Sequence, residues 1–108
     1  MSKDAVVGKT YEEVTHKENK YLKLEDEVMD DIFVRIKGKN YTILGKIIDD
    51  YYEDVSLQTK EIIDLSKEIT DFSRKEKPRL ETKDCLISLR KMCEDSLKKA
   101  LKIFFLAD

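Results

Sequence analysis

The chain has 108 residues, which is enough for one modest domain, and its formal net charge at pH 7 is −2. Apolar and charged residues each make up 41% of it, a mixture that is typical of helices with one wet and one dry face. The apolar content excludes a chain that never folds. The sequence also lacks an apolar run of about 18 residues or more, so we expect no membrane-spanning helix.

The first predicted helix covers residues 15–37 and follows a loose N-terminal arm of residues 1–9, which has no apolar period. Two reciprocal capping pairs precede its apolar part, Thr10 with Glu13 and Thr15 with Glu18, and either pair can start the helix. Its apolar residues fall on one broad stripe at helical spacing: Tyr21, Leu22, Leu24, Val28, Met29, Ile32, Phe33 and Ile36. This segment is therefore predicted to be an amphipathic helix.

Residues 37–40, with the sequence KGKN, are predicted to form a short turn between two helices. Gly38 suits the left-handed conformation that closes a helix, and Asn40 can cap the start of the next one. The alternative is a β-hairpin over residues 32–44, because IFVRI is rich in β-branched residues and alternates in polarity. In that case the fold would be α+β.

A long second helix is predicted over residues 41–72. Apolar side chains recur there in steps of alternately three and four residues, which is typical of the seam of a packed or coiled helix. The series is Tyr41, Leu44, Ile48, Tyr51, Val55, Gln58, Ile62, Leu65, Ile69 and Phe72, in which only Gln58 is polar. One continuous helix accounts for every member of it, so we expect no strand in this region.

A linker of residues 73–81, which contains Pro78, separates this helix from a third one over residues 82–105. Thr82 can cap the third helix. Its apolar positions are Leu86, Leu89, Cys93, Leu97, Ala100, Leu101 and Phe104. Short connections favour antiparallel neighbours. We therefore predict an all-α fold, an antiparallel three-helix bundle with a long central helix.

An acidic cluster is predicted where the chain reverses at residues 37–40 and lays the carboxylates of two helices side by side. Like charges in that arrangement repel one another, so a partner that offers Lys or Arg would relieve the repulsion. Tyr52 would add the kind of ring that is common at binding hot spots. The predicted partner-contact residues are Asp30, Asp31, Asp49, Asp50, Tyr52, Glu53 and Asp54.

A second contact patch is predicted near the C-terminal end, where four apolar residues follow one another. A single helix cannot bury all four against one neighbour, so some apolar surface is left over. Phe104, Phe105 and Leu106 are predicted to dock a partner or a second copy, and burial at the end of the bundle is the alternative.

The residue pattern predicts no catalytic, metal or cofactor site. His16 is the single histidine, and Cys85 and Cys93 are too far apart on a helix to share a metal ion or a disulfide. Nucleophilic catalysis would need a base beside the nucleophile, and His16 lies in a polar stretch. The two thiols are expected to be reduced, as in a cytoplasmic protein.

The sequence thus predicts a non-catalytic helical protein–protein interaction module, an adaptor or assembly subunit that binds a helical partner or a second copy of itself. The alternative is an acidic inhibitor or immunity-type protein that neutralises a basic partner such as a nuclease toxin. A small regulatory DNA-binding protein is less favoured, because the basic patch in the linker lacks interleaved aromatic residues. That patch consists of Arg74, Lys75, Lys77 and Arg79.

Overall fold

The part of the chain that the structure describes folds into a four-stranded antiparallel sheet with five helices. A computed structural model describes residues 2–16, 21–49 and 52–107. In chain order the elements are β1 (Lys3–Gly8), α1 (Tyr11–His16), β2 (Tyr21–Leu24), α2 (Asp26–Ile36), α3 (Thr42–Ile48), β3 (Val55–Leu57), α4 (Thr59–Lys75), α5 (Leu80–Lys98) and β4 (Lys102–Ala107). The predicted all-α three-helix bundle is therefore wrong, and the fold is α+β.

The strands run in the order β2-β1-β4-β3, so the first and last strands of the chain form the centre of the sheet. In this register Ala5 lies opposite Phe105 and Val7 opposite Ile103, and these side chains share one face. That inner face packs against α2 to α5 and forms the main core. Because side chains on a strand alternate between faces, Val6 and Phe104 point to the other side.

Both ends of the chain differ from the prediction. The segment expected to be a loose arm is the central strand β1, and the end of the predicted third helix is β4. The chain leaves α5 at Ala100, which has φ 54°, and the Leu101 N–H donates to the Ser96 carbonyl at 2.9 Å. This is the left-handed closure of a helix, formed here by alanine and not by the usual glycine.

The predicted long helix of residues 41–72 is interrupted. It ends at Ile48, resumes at Thr59, and contains β3 in between. Lys3 of β1 is fully buried and its Nζ donates to the Ile47 carbonyl at 2.8 Å, which satisfies a backbone acceptor at the end of α3. The second half begins with its own capping contact, from the Gln58 N–H to the Glu61 carboxylate at 3.3 Å.

The prediction of an interhelical turn at residues 37–40 is confirmed. Lys37 has φ −54° and ψ 125°, Gly38 has φ 71°, and the Lys39 N–H donates to the Ile36 carbonyl at 3.0 Å. These values define a type II turn, whose third residue requires positive φ and therefore favours glycine. The alternative β-hairpin over residues 32–44 is wrong, because its flanks belong to α2 and α3.

The predicted linker of residues 73–81 is shorter than expected. Helix α4 continues to Lys75 and α5 already begins at Leu80, so the connection contains only residues 76–79. Pro78 lies within it, as its missing N–H requires. The two helices therefore form a tight antiparallel hairpin that covers the inner face of the sheet.

Candidate functional site

The candidate site is the outer sheet face, the side of the sheet that points away from α2 to α5. One row of directly paired residues crosses all four strands on this face: Tyr21, Val6, Phe104 and Ser56. The short helix α1 lies over its centre, where Val14 packs with Val6 and Phe104. Val6 and Phe104 are buried beneath it, whereas Tyr21 and Ser56, at the two ends of the row, are exposed.

The carboxylate of Asp54 fixes the geometry at one edge of this face. Its Oδ2 accepts a hydrogen bond from the Tyr11 hydroxyl at 2.5 Å, and its Oδ1 accepts one from the Ala107 N–H at 2.7 Å. The hydrogen bond to this carboxylate favours the neutral phenol and raises the pKa of Tyr11. Asp54 thus joins α1, the end of β4 and the start of β3.

A cleft of about 320 Å³ opens beside this contact and is lined by Tyr11, Asp54, Val55, Ser56 and Phe104. Tyr11 stands over Phe104 with 6.3 Å between the ring centroids. Three tyrosines are among the exposed large apolar side chains: Tyr11 is 51% exposed, Tyr21 59% and Tyr52 77%. The face therefore combines a buried apolar centre with amphipathic rings that are open to solvent.

Charge is unevenly distributed around the outer sheet face. Glu53 and Asp54 are exposed at the end where β3 begins, whereas Lys102 is exposed at the start of β4 beside Gly8. A partner with a basic patch would be attracted to the first of these ends.

Five of the ten predicted contact residues belong to the outer sheet face or lead directly into it. Phe104 and Leu106 are on the face itself, and Tyr52, Glu53 and Asp54 are exposed in the segment before β3. Phe105 does not join them, because it points to the inner face and is fully buried in the main core. The predicted patch of three consecutive apolar residues is therefore divided between two faces of one strand.

Asp31, a member of the predicted acidic cluster, is engaged within the fold. Asp31 has a side chain that is only 7% exposed and faces the start of α5, where it accepts hydrogen bonds from Arg35 Nε at 2.7 Å and the Arg79 N–H at 3.1 Å. Asp30 is exposed on α2 and Asp49 follows α3. Asp31 thus stabilises a helix junction, while Asp54 lies at the sheet.

Asp50, the remaining predicted contact residue, lies outside the described residues. Sequence reasoning missed Tyr11, Tyr21 and Ser56 as members of the site. The alternation of polarity in YLKL at residues 21–24 is a strand signal that could have placed Tyr21 on a sheet face. Tyr11 joins the site through its contact with Asp54, which is far away in the chain. The residues around Tyr11 in the sequence do not indicate such a contact.

Within residues 2–16, 21–49 and 52–107, no group of three or more His, Cys, Asp or Glu is placed to hold a metal ion. In the same part of the chain no helix has the length and apolarity needed to cross a membrane. Comparison with protein-family models, curated proteins and solved structures returned no match.

Proposed function

We propose that this protein is a non-catalytic binding protein that docks a protein partner on its outer sheet face. The observation that supports this most is the Asp54 bridge, which holds Tyr11 at the rim of an apolar centre formed by Val6 and Phe104. Val6 and Phe104 are almost fully buried under α1, so the exposed tyrosine rings are what this face offers a partner. Tyrosine is common among the residues that contribute most to affinity.

The second candidate is an inhibitor that neutralises a basic partner protein, and one feature favours it. Glu53 and Asp54 lie next to the exposed ring of Tyr52 at the acidic end of the face. Complementary charge at such a rim increases the association rate and selects partners of opposite sign. The two candidates share the same surface and differ in the chemistry of the partner.

We do not propose self-association through the apolar series of residues 41–72. The apolar residues of the predicted seam that lie in α3 and α4 are buried in the chain's own core, for example Leu44, Ile48, Ile62 and Leu65. They offer no free stripe to a second helix.

A cytoplasmic location is part of the proposal. Cys85 and Cys93 are free thiols, and burial raises the pKa of Cys85 to about 11 and that of Cys93 to about 12. Protonated thiols of this kind are inert and suit a reducing compartment.

The test is quantitative affinity capture from the source cells with Tyr52→Ala and Glu53→Lys variants. Both substitutions are on exposed residues, so the fold should survive. We expect the recovered amount of the partner to fall by about tenfold or more, as after substitution of a binding hot spot. Matched controls are Ile63→Ala and Glu94→Lys, which change exposed residues on α4 and α5.

Equal recovery of every captured protein by variants and controls would refute the proposal. If the lost protein is basic, the inhibitor candidate gains support over a general adaptor. An acidic or neutral partner would instead favour the adaptor.

A further inference from the structure

The groove between α4 and α5 faces away from the sheet and is lined by three cations. Its described lining residues are Ile69, Thr70, Ser73, Arg74, Lys83, Ile87 and Arg90, and none of these seven is acidic. The cavity measures about 270 Å³. It is separate from the outer sheet face, and the inference drawn from it does not depend on the proposed function.

Helical spacing places the cations together. Lys83 and Arg90 are seven residues apart on α5 and therefore lie on the same side of that helix. Arg74 is in the last turn of α4, and the antiparallel hairpin brings it to the Lys83 end of the groove. Three positive charges on one groove repel one another, and a bound anion would relieve that repulsion.

Three carboxylates, Glu61 and Glu68 of α4 and Glu76 directly after it, are engaged on the side of α4 that faces α2 and α3. Glu61 pairs with Lys46 at 2.6 Å, Glu68 accepts the N–H groups of Ile43 and Leu44 at 3.0 Å, and Glu76 accepts the hydroxyl of Tyr41 at 2.9 Å. These three acids stabilise the packing of α4 against the preceding helices, so they are not available to the groove cations.

The contact of Arg74 with Asp71 does not remove Arg74 from this set. The two charged groups are 3.3 Å apart, and their side chains are 69% and 50% exposed. Exposed ion pairs of this kind contribute little to stability, so either partner can readily pair with another charged group. Arg74 therefore remains available to a stronger anion.

The other groove residues match an oxyanion that carries an apolar group. Ser73 lines the groove, and its hydroxyl, which is closed off from solvent, has no hydrogen-bond partner among the described residues. Ile87 is 47% exposed and Ile69 forms part of the floor, which provides apolar contact beside the cations. Arginine favours phosphate in particular, because its planar fork donates two parallel hydrogen bonds.

We infer that this groove binds a small phosphate monoester, with the phosphate on Arg74, Lys83 and Arg90 and the organic part against Ile87. The volume suits one phosphate and a small attached group. A nucleic acid would need cations over a longer surface together with aromatic side chains for its bases. The favoured ligand is therefore a small molecule.

The test is an NMR titration of the full chain with inorganic phosphate and with phenyl phosphate, at constant ionic strength. We expect saturable shifts of backbone amides in residues 69–74 and 83–90, and tighter binding of phenyl phosphate because of its apolar ring. The double variant Lys83→Gln, Arg90→Gln should bind about tenfold more weakly or worse. Lys91→Gln is the control for position 90, since it removes one positive charge directly beside Arg90 while Lys91 lines another side of α5.

Three results would overturn the inference. The first is that chloride alone reproduces the amide shifts. The second is that Lys91→Gln loses as much binding as the double variant. The third is that a short DNA duplex binds the same groove more tightly than phenyl phosphate does. The replaced side chains are all exposed, and unchanged amide spectra outside the groove would show that the variants are folded.

Discussion

The Asp31 carboxylate of α2 accepts hydrogen bonds from Arg35 and from the backbone N–H of Arg79, directly before α5. Burial of the Asp31 carboxylate would raise its pKa, but hydrogen bonds from Thr82, Arg35 and the Arg79 N–H outweigh that effect and lower the pKa from the ordinary value of 3.8. The ionised form is therefore favoured in the folded protein. Asp31 contributes stability above pH 3.8, and this contribution is lost as the pH falls through the lowered pKa.

Because the pKa of Asp31 is lowered, the effect of Asp31→Asn on the unfolding free energy should depend on pH. At neutral pH the variant should lose about 1–2 kcal/mol of unfolding free energy, because its amide replaces charged hydrogen bonds by neutral ones. The difference from the parent should shrink as the pH is lowered, since the parent then protonates Asp31 as well. Urea unfolding across the acid range measures both effects. A difference that stays constant to well below pH 3.8 would contradict the assignment.

Gly8 is a residue whose missing side chain sets the position of a whole element. A Cβ at this position would meet Val14 Cγ1 of α1 at 2.5 Å, which real structures do not tolerate. Gly8→Ala should therefore displace α1, destabilise the protein by about 1–3 kcal/mol and broaden or shift the amide signals around Tyr11.

Gly45 provides the matched control for that substitution. It lies inside α3, and a Cβ there would make only ordinary contacts, the nearest at 3.8 Å from Asp49. Gly45→Ala should stabilise the protein by about 0.5–1 kcal/mol, because alanine loses less backbone entropy in a helix. Thermal unfolding of both variants checks the opposite signs, and a Gly8→Ala variant that is as stable as the parent would refute the close approach of α1 to β1.

At the scale of elements, the junction between α5 and β4 has a testable weakness. Ala100 adopts φ 54° in an exposed position, a conformation that costs L-residues about 1–2 kcal/mol and glycine little. Ala100→Gly should therefore raise the unfolding free energy by up to about 1 kcal/mol, measured by urea unfolding. A clear loss of stability would show that the chain does not end α5 in this way.

Ala100 also explains why the sequence did not reveal β4. A glycine at that position would have signalled the end of the helix, whereas an alanine in the stripe extends the apparent period. The four consecutive apolar residues 103–106 were the remaining signal, since such a run is typical of a strand that is covered on both faces. The helical period predicts instead that this run continues the third helix and leaves apolar surface uncovered.

The interruption of the long helix had a signal too. Val55 fits the period of the seam but lies on β3, because spacing alone cannot distinguish a residue on the same helix from one on a separate element. The capping pair of Gln58 and Glu61 marks a new helix start within the segment that is predicted to be one continuous helix. The type II turn at Gly38, in contrast, is local and could be predicted correctly.

At the scale of the whole molecule, the sheet depends on pairing between β1 and β4, which lie at opposite ends of the chain. Local propensity carries no information about such a pairing. A prediction that locates helices correctly can therefore still assign the chain to the wrong fold class. The candidate site depends on the same long-range contacts. Only its exposed segment of residues 52–54 and its C-terminal apolar residues could be identified in advance.

Burial of the seam within one chain predicts a monomer. Light scattering at several concentrations should give a mass near 12.7 kDa throughout. A dimer at low micromolar concentration would show that the outer sheet face or another surface binds a second copy, and the partner would then be the protein itself.

The most direct test of the outer sheet face as the docking surface is site-specific photo-crosslinking in the source cells. A photoreactive amino acid replaces Tyr21, which is exposed on this face, or Ile63, which is exposed on α4. The proposed docking predicts a discrete heteromeric product from position 21 and none of that size from position 63. Products of equal yield from both positions, or none from position 21, would contradict it.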